Sequence, residues 1–182
     1  MNRPSGYLCT SSLLAAIFLS GCATMSPSEC KVSDWNDVGL RDGLAGATLS
    51  MLDSRSRDCG QAGVAIDTQR YLQGREQGLR TYCRLENAIP LGLDGKVYGG
   101  VCPATVDAEF RRRVQVGNDV NNLRSRVQSL DLRYPPLERR LREAKSDEER
   151  RRIRGEMSDL DRDLRRTRDQ LRDAELALDR LR

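Results

Sequence analysis

From Val116 to Ala144, apolar or small side chains return at alternating steps of four and three: Val116, Val120, Leu123, Val127, Leu130, Tyr134, Leu137, Leu141 and Ala144. Only a helix of 3.6 residues per turn gathers such positions into one stripe, so this stretch reads as heptads and not as strands. A second set runs Ile153, Met157, Leu160, Leu164, Thr167, Leu171, Ala174, Leu178 and Leu181 with the same alternation. The nine-residue step from Ala144 to Ile153 breaks the register. Ser146-Asp147-Glu148-Glu149 sits in that break and reads as the capping box of a new helix. Two in-phase segments of similar length predict an antiparallel coiled-coil hairpin over residues 106–182, with arms of roughly 55 Å at 1.5 Å per residue. The rival arrangement is one long helix in an intermolecular coiled coil of about 110 Å. Pro135-Pro136 must kink or interrupt the first arm in either case.

The same tail carries 21 basic and 17 acidic residues. Pairs such as Glu156 with Arg152, and Asp169 with Arg165 or Arg172, read as a solvated, salt-bridged face. The triplets Arg111-Arg112-Arg113 and Arg150-Arg151-Arg152 belong to that face, and no nucleic-acid partner is expected. Across all 182 residues histidine is absent and aromatics make up 4%. That removes Ser-His and Cys-His nucleophilic dyads and His-ligated zinc, and no phosphate-loop or nucleophile motif replaces them. No catalytic residue, metal or cofactor is expected.

Residues 30–105 have a different composition. Cys30, Cys59, Cys83 and Cys102 fall there, without a Cys-x-x-Cys pair, which favours two disulfides over a Cys₄ zinc site. Residues 35–58 and 68–82 both read as helices, with Asp34 and Asp67 as caps, so they predict an antiparallel helical hairpin. Cys30 and Cys83 would then share one end. Cys59 would lie about 20 Å from Cys83, too far for a disulfide. The expected pairs are Cys30–Cys83 and Cys59–Cys102. Gly39, Gly43, Gly46 and Ala47 share one face and Gly74 and Gly78 another. Glycine inside a helix costs about 1 kcal/mol relative to alanine, so these positions serve close packing of two helices or open a groove for a ligand. Asp94-Gly95 closes either a β-hairpin or an irregular loop.

The residue types suited to a ligand in this head are Trp35, Asp42, Tyr71, Arg75 and Tyr82, with Glu76 beside them. A planar guanidinium flanked by aromatic faces suits a carboxylate or a sugar. The plain alternative is an Arg75 ion pair with Asp42 or Glu76, and tyrosines that cover the glycine seam.

The first residues read as a processing segment. Arg3 gives a positive start, and Leu13-Leu14-Ala15-Ala16-Ile17-Phe18-Leu19 is an apolar run too short to remain as a membrane span. Leu19-Ser20-Gly21-Cys22 resembles the lipobox of bacterial lipoproteins. The resemblance implies a signal peptide over 1–21, cleavage before Cys22, diacylglycerol on its thiol and acylation (palmitate-type) of the new amino terminus. Several chains give a stable anchor where one would not. In that pattern Ala23, rather than Asp, favours the outer membrane, so the chain is expected on its periplasmic face with residues 22–29 as a lipidated linker. Ending at Leu181-Arg182 rather than Lys, it is not expected to be joined covalently to peptidoglycan.

Asp34-Trp35, Gly39, Asp42-Gly43, Tyr71, Gly74-Arg75-Glu76, Gly78-Leu79, Tyr82-Cys83 and Gly100-Val101-Cys102-Pro103 together resemble a family of small bacterial lipoproteins known only as a domain of unknown function. The resemblance covers roughly residues 30–115 and implies no activity or substrate. The expected architecture is mainly α, a disulfide-stapled helical-hairpin head (30–105) followed by the coiled-coil hairpin (106–182). The expected role is structural: an arm presented to an unknown envelope protein or to peptidoglycan. The alternative is a small-ligand or glycan-binding head.

Overall fold

The computed structural model describes residues 24–181, all helix and connecting loop with no strand among them. Arg3, the apolar run, Cys22 and Ala23 lie outside the described residues. The helices are α1 (Pro27–Val32), α2 (Trp35–Leu44), α3 (Ser50–Gln61), α4 (Thr68–Tyr82), a 3-10 turn (Leu85–Asn87), α5 (Ala88–Leu93), α6 (Ala104–Asp131), α7 (Tyr134–Glu143) and α8 (Asp147–Asp179). None is long and apolar enough to cross a membrane.

Asp34 and Asp67 cap as their positions suggest. Asp34 accepts from the amides of Asn36 and Asp37, and Asp67 from that of Arg70. The expected single helix over 35–58 is instead two. Ala47 N–H donates to Asp42 C=O and Gly46 N–H to Gly43 C=O, with Gly46 at φ +67°, which is a Schellman ending for α2. Gly63 ends α3 in the same way, and Gly95 ends α5, so Asp94-Gly95 is a helix stop rather than a hairpin turn.

The break at Gly46 reverses the path of the chain. α3 returns to the start of α2, and α4 then runs parallel to α2 instead of antiparallel. The register shows it: Asn36 Nδ2 donates to Arg70 C=O, Gly39 faces Tyr71 and Arg75, Gly43 faces Arg75 and Gly78, and Gly46 lies under the Tyr82 ring. The disulfides follow. Cys59 comes back beside Cys30, and Cys83 at the far end of α4 meets Cys102, so the pairs are Cys30–Cys59 and Cys83–Cys102, with Cα separations of 5.5 and 5.6 Å. The expected Cys30–Cys83 and Cys59–Cys102 pairs are therefore replaced, because they assumed one helix where Gly46 divides two.

The glycine faces do pack on one another. A Cβ on Gly39 would sit 1.9 Å from Tyr71 O, and one on Gly74 1.9 Å from Asn36 O. Backbones this close allow Cα–H to meet carbonyl oxygen directly. A second approach of this kind joins α5 to α6, where Gly92 meets Gly117.

α6 belongs to both halves. Phe110 and Val114 are buried with Leu79, Tyr82, Cys83, Ala88 and Cys102, while Val120 packs with Ile89 and with Leu178 of α8. The expected division at 105/106 thus falls two residues into one continuous helix. Beyond it, Leu130, Leu137, Ala144, Ile153, Leu160 and Leu164 are buried along the seam between α6–α7 and α8. The cross-pairs Arg124–Glu175, Arg168–Asp131 and Arg140–Glu156 rise on one side as they fall on the other, which makes the hairpin antiparallel. Pro135 and Pro136 stand at the opening of α7, where their missing N–H groups cost nothing, and they mark the interruption of the first arm. Ser146 caps α8 by accepting from Glu149 N–H, while the Glu149 carboxylate reaches Lys145 N–H.

Two outcomes follow from this packing. Gly39→Ala or Gly74→Ala must push two helix backbones apart and lowers unfolding free energy by about 1–3 kcal/mol, as overpacking does. Gly155→Ala, in α8 with nothing within 4 Å of its Cβ position, raises it by about 0.5–1 kcal/mol. Urea titrations of the three variants read both. Under non-reducing conditions, peptide mapping yields Cys30 joined to Cys59; a Cys30–Cys83 fragment would refute the parallel register.

Candidate functional site

A buried polar cluster of the head forms where α2, α3 and α4 converge. Asp42 on α2 is buried, its side chain 8% exposed. Arg55 on α3 meets it bidentately, Nε to Oδ2 at 2.8 Å and Nη2 to Oδ1 at 2.7 Å. Tyr71 on α4, fully buried, donates its hydroxyl to Asp42 Oδ2 at 2.7 Å. Arg55 also donates to Thr24 C=O at 3.2 Å. A fork-on-carboxylate pair with one extra donor satisfies the anion on both oxygens. The Asp42 contacts raise the Arg55 guanidinium above its ordinary value, while burial opposes them. Burial first, and then the bond to Asp42, push the Tyr71 phenol well above 10.

Of the five residues singled out from the sequence, the structure joins Asp42 and Tyr71 directly. Trp35 packs in the same apolar cluster as Tyr71, with Met25, Cys30, Val38 and Cys59. Arg75 pairs with neither Asp42 nor Glu76. Its Nη2 donates to Ala47 C=O at 2.7 Å, and its Nε is buried with no hydrogen-bond partner among the described residues. Tyr82 lies about three turns beyond Tyr71 on α4, its ring 5.5 Å from that of Phe110. Arg55, the cation that completes the cluster, was not among them. Its separation of 13 residues from Asp42 matches no helical period, so nothing local marks the pair.

A second cluster also escapes sequence reasoning. Tyr98, in the loop before α6, donates to Asp107 and accepts from Cys102 N–H at 3.0 Å. Arg111 lies over its ring, 5.2 Å from the centroid. The loop is thereby tied to the first turns of α6. Burial, followed by the bond to Asp107, pushes the Tyr98 phenol up to about 12.

A cleft of about 500 Å³ beside the Cys83–Cys102 bond is lined by Leu79, Val101, Pro103 and Val106. Another of about 400 Å³ lies between Leu85, Ile89, Leu93, Arg113 and Leu181. Neither takes a side chain from Trp35, Asp42, Tyr71, Arg75 or Tyr82. Among the described residues no three His, Cys, Asp or Glu side chains converge as a metal site. The polar atoms of Asp42, Arg55 and Tyr71 are directed at one another, so the arrangement fastens three helices together.

Residues 34–119 match a family described as a protein of unknown function, DUF2799. The chain is similar to an uncharacterised bacterial family. The Uncharacterized protein YfiL of Escherichia coli (strain K12) is 29% identical over 113 residues, which cover 59% of this chain and 88% of that protein. No solved structure matches. The family match begins at the cap of α2 and stops inside α6. It takes in the glycine seam, Asp42, Arg55, Tyr71 and both clusters of the head, and leaves the outer arm outside.

Arg55→Met strands a buried carboxylate and is expected to lower unfolding free energy by about 3–5 kcal/mol. Tyr71→Phe, which removes one hydrogen bond to a charged group, costs about 1.5–3 kcal/mol. Chemical denaturation measures both. The phenol shifts set an alkaline limb. A tyrosine that titrates higher in the folded than in the unfolded state contributes stability that is whole below pH ~10 and declines as pH rises through the folded value. Stability therefore falls between pH 10 and about 12, and Tyr98→Phe flattens that fall in urea titrations at stepped pH.

Proposed function

We propose that this chain is a non-catalytic, lipid-anchored protein of the bacterial envelope whose helical arm serves as a rigid spacer or contact surface for an envelope partner. The anchor is diacylated Cys22, and the location is the periplasmic face of the outer membrane. The observation that best supports the reading is that the arm is complete within one chain. Its seam is filled from Leu130 to Leu164, and cross-helix ion pairs recur along it. Exposed pairs of this kind contribute only about 0.2–1 kcal/mol each, so the apolar seam holds the hairpin and the charged faces stay free for recognition. α8, with 33 residues, reaches about 50 Å at 1.5 Å per residue. The ligand-binding alternative draws less support, because Asp42 and Tyr71 are engaged with Arg55.

Photocrosslinkers at Arg139 and Arg165, both exposed on the arm, test the reading in cells. Adducts with one envelope protein or with peptidoglycan are expected. Adducts confined to α7 and α8 of the same chain would sink the contact-surface role. Cys22→Ser is expected to move the protein out of the membrane fraction, and its retention there would refute the anchor.

A further inference from the structure

From Thr24 onward the chain is not a loose tether. Thr24 N–H and Oγ1 both donate to Asp58 Oδ2, at 2.6 and 2.7 Å, and Thr24 C=O accepts from Arg55 Nη1 at 3.2 Å. The Thr24 bonds hold the Asp58 carboxyl below its ordinary value. Met25 is buried among Cys30, Trp35, Val38, Cys59 and Tyr71. Ser26 then opens α1 with a full capping box to Glu29. Arg55, which grips Thr24, is itself fixed by Asp42, and α3 is fixed by the Cys30–Cys59 bond. The segment expected to be a linker over 22–29 is thus packed into the head from its third residue. Cys22 lies two positions before Thr24, and an extended chain advances at most about 3.6 Å per residue, so it reaches no more than about 7 Å from the clamp.

We propose that the end of the head formed by α1, the last turn of α3 and the loop 62–67 rests directly on the surface of the anchoring bilayer, with Val32 as its contacting side chain. The proposal builds on the lipid-anchor reading of Cys22. Val32, the last residue of α1, is 83% exposed, an apolar side chain on the short helix that follows the clamped residues and is joined to α3 by the Cys30–Cys59 bond. The charges at this end oppose one another. Lys31, Arg57 and Arg70 nearly balance Glu29, Asp34, Asp58 and Asp67 in number, and Arg70 is paired with Asp34. The contact is therefore short-range and apolar, insensitive to salt and to anionic lipid. The base of the arm, at α5 and α6, sits at the opposite end of α4, whose 15 residues span about 22 Å at 1.5 Å per residue. The clamp thus fixes the arm's base relative to the membrane instead of leaving it to swing.

Val32→Trp in the full chain, lipidated and reconstituted into phosphatidylcholine vesicles with brominated acyl chains, reads the contact. Trp35 is buried, and the unsubstituted protein supplies its background. Val97→Trp, 90% exposed on the loop before α6, is the reference. Bromine is expected to quench Val32→Trp, at low and high salt alike, and to spare Val97→Trp. Asp58→Ala, which removes both bonds that Thr24 donates and leaves the one from Arg55, is expected to weaken the quenching while the mass of Cys22 still includes diacylglycerol. Unquenched Val32→Trp in vesicle-bound, diacylated protein overturns the contact and leaves the anchor standing. Quenching undiminished by Asp58→Ala overturns the clamp. A Cys22 without lipid overturns the anchor and this inference together.

Discussion

The head depends on how closely the backbones of α2 and α4 approach. Gly39 and Gly43 on one helix and Gly74 and Gly78 on the other leave no room for a Cβ between them. Two helices can meet this tightly only where side chains are absent from both, and the contact then selects one register. That register is parallel, so the Tyr71 hydroxyl reaches Asp42, and Tyr82 covers Gly46. A parallel pair needs a return segment between its members, and α3 supplies it. The return in turn brings Cys59 to Cys30 and Arg55 to Asp42.

The Asp42–Arg55–Tyr71 cluster reads naturally as a site when its residues are seen as a list. In place it is a fastening. Both Asp42 oxygens and the Tyr71 hydroxyl have their partners inside the cluster, and Arg55 extends the connection to Thr24. A buried ion pair contributes little net stability compared with a well-packed apolar core, but it is strongly destabilising to break, so it discriminates against other packings of the same helices. The same logic applies at the other end, where Tyr98 closes a glycine-rich loop through Cys102 N–H and fastens it to α6 through Asp107.

The arm is built on a different principle. Its seam repeats, its faces carry alternating charge, and it shares α6 with the head, so that Leu178 at the end of α8 packs back against Ile89 of α5. Head and arm are thus one continuous structure, although the family match stops inside α6.

The amino-acid sequence by itself determined the mainly helical fold, the helix over 68–82, the caps at Asp34, Asp67 and Ser146, the heptad seam and its break and the interruption at Pro135-Pro136. All of these are periodic or local, within a few residues of their cause. Gly46 carried a local signal as well, but in a helix already rich in glycine a stop and a packing position look alike. Tertiary structure alone decided that α2 and α4 run parallel, that Cys30 joins Cys59 and Cys83 joins Cys102, and that Arg55 rather than Arg75 answers Asp42. Those outcomes turn on the direction in which the chain leaves Gly46, and only the closest approach of the two glycine faces selects it.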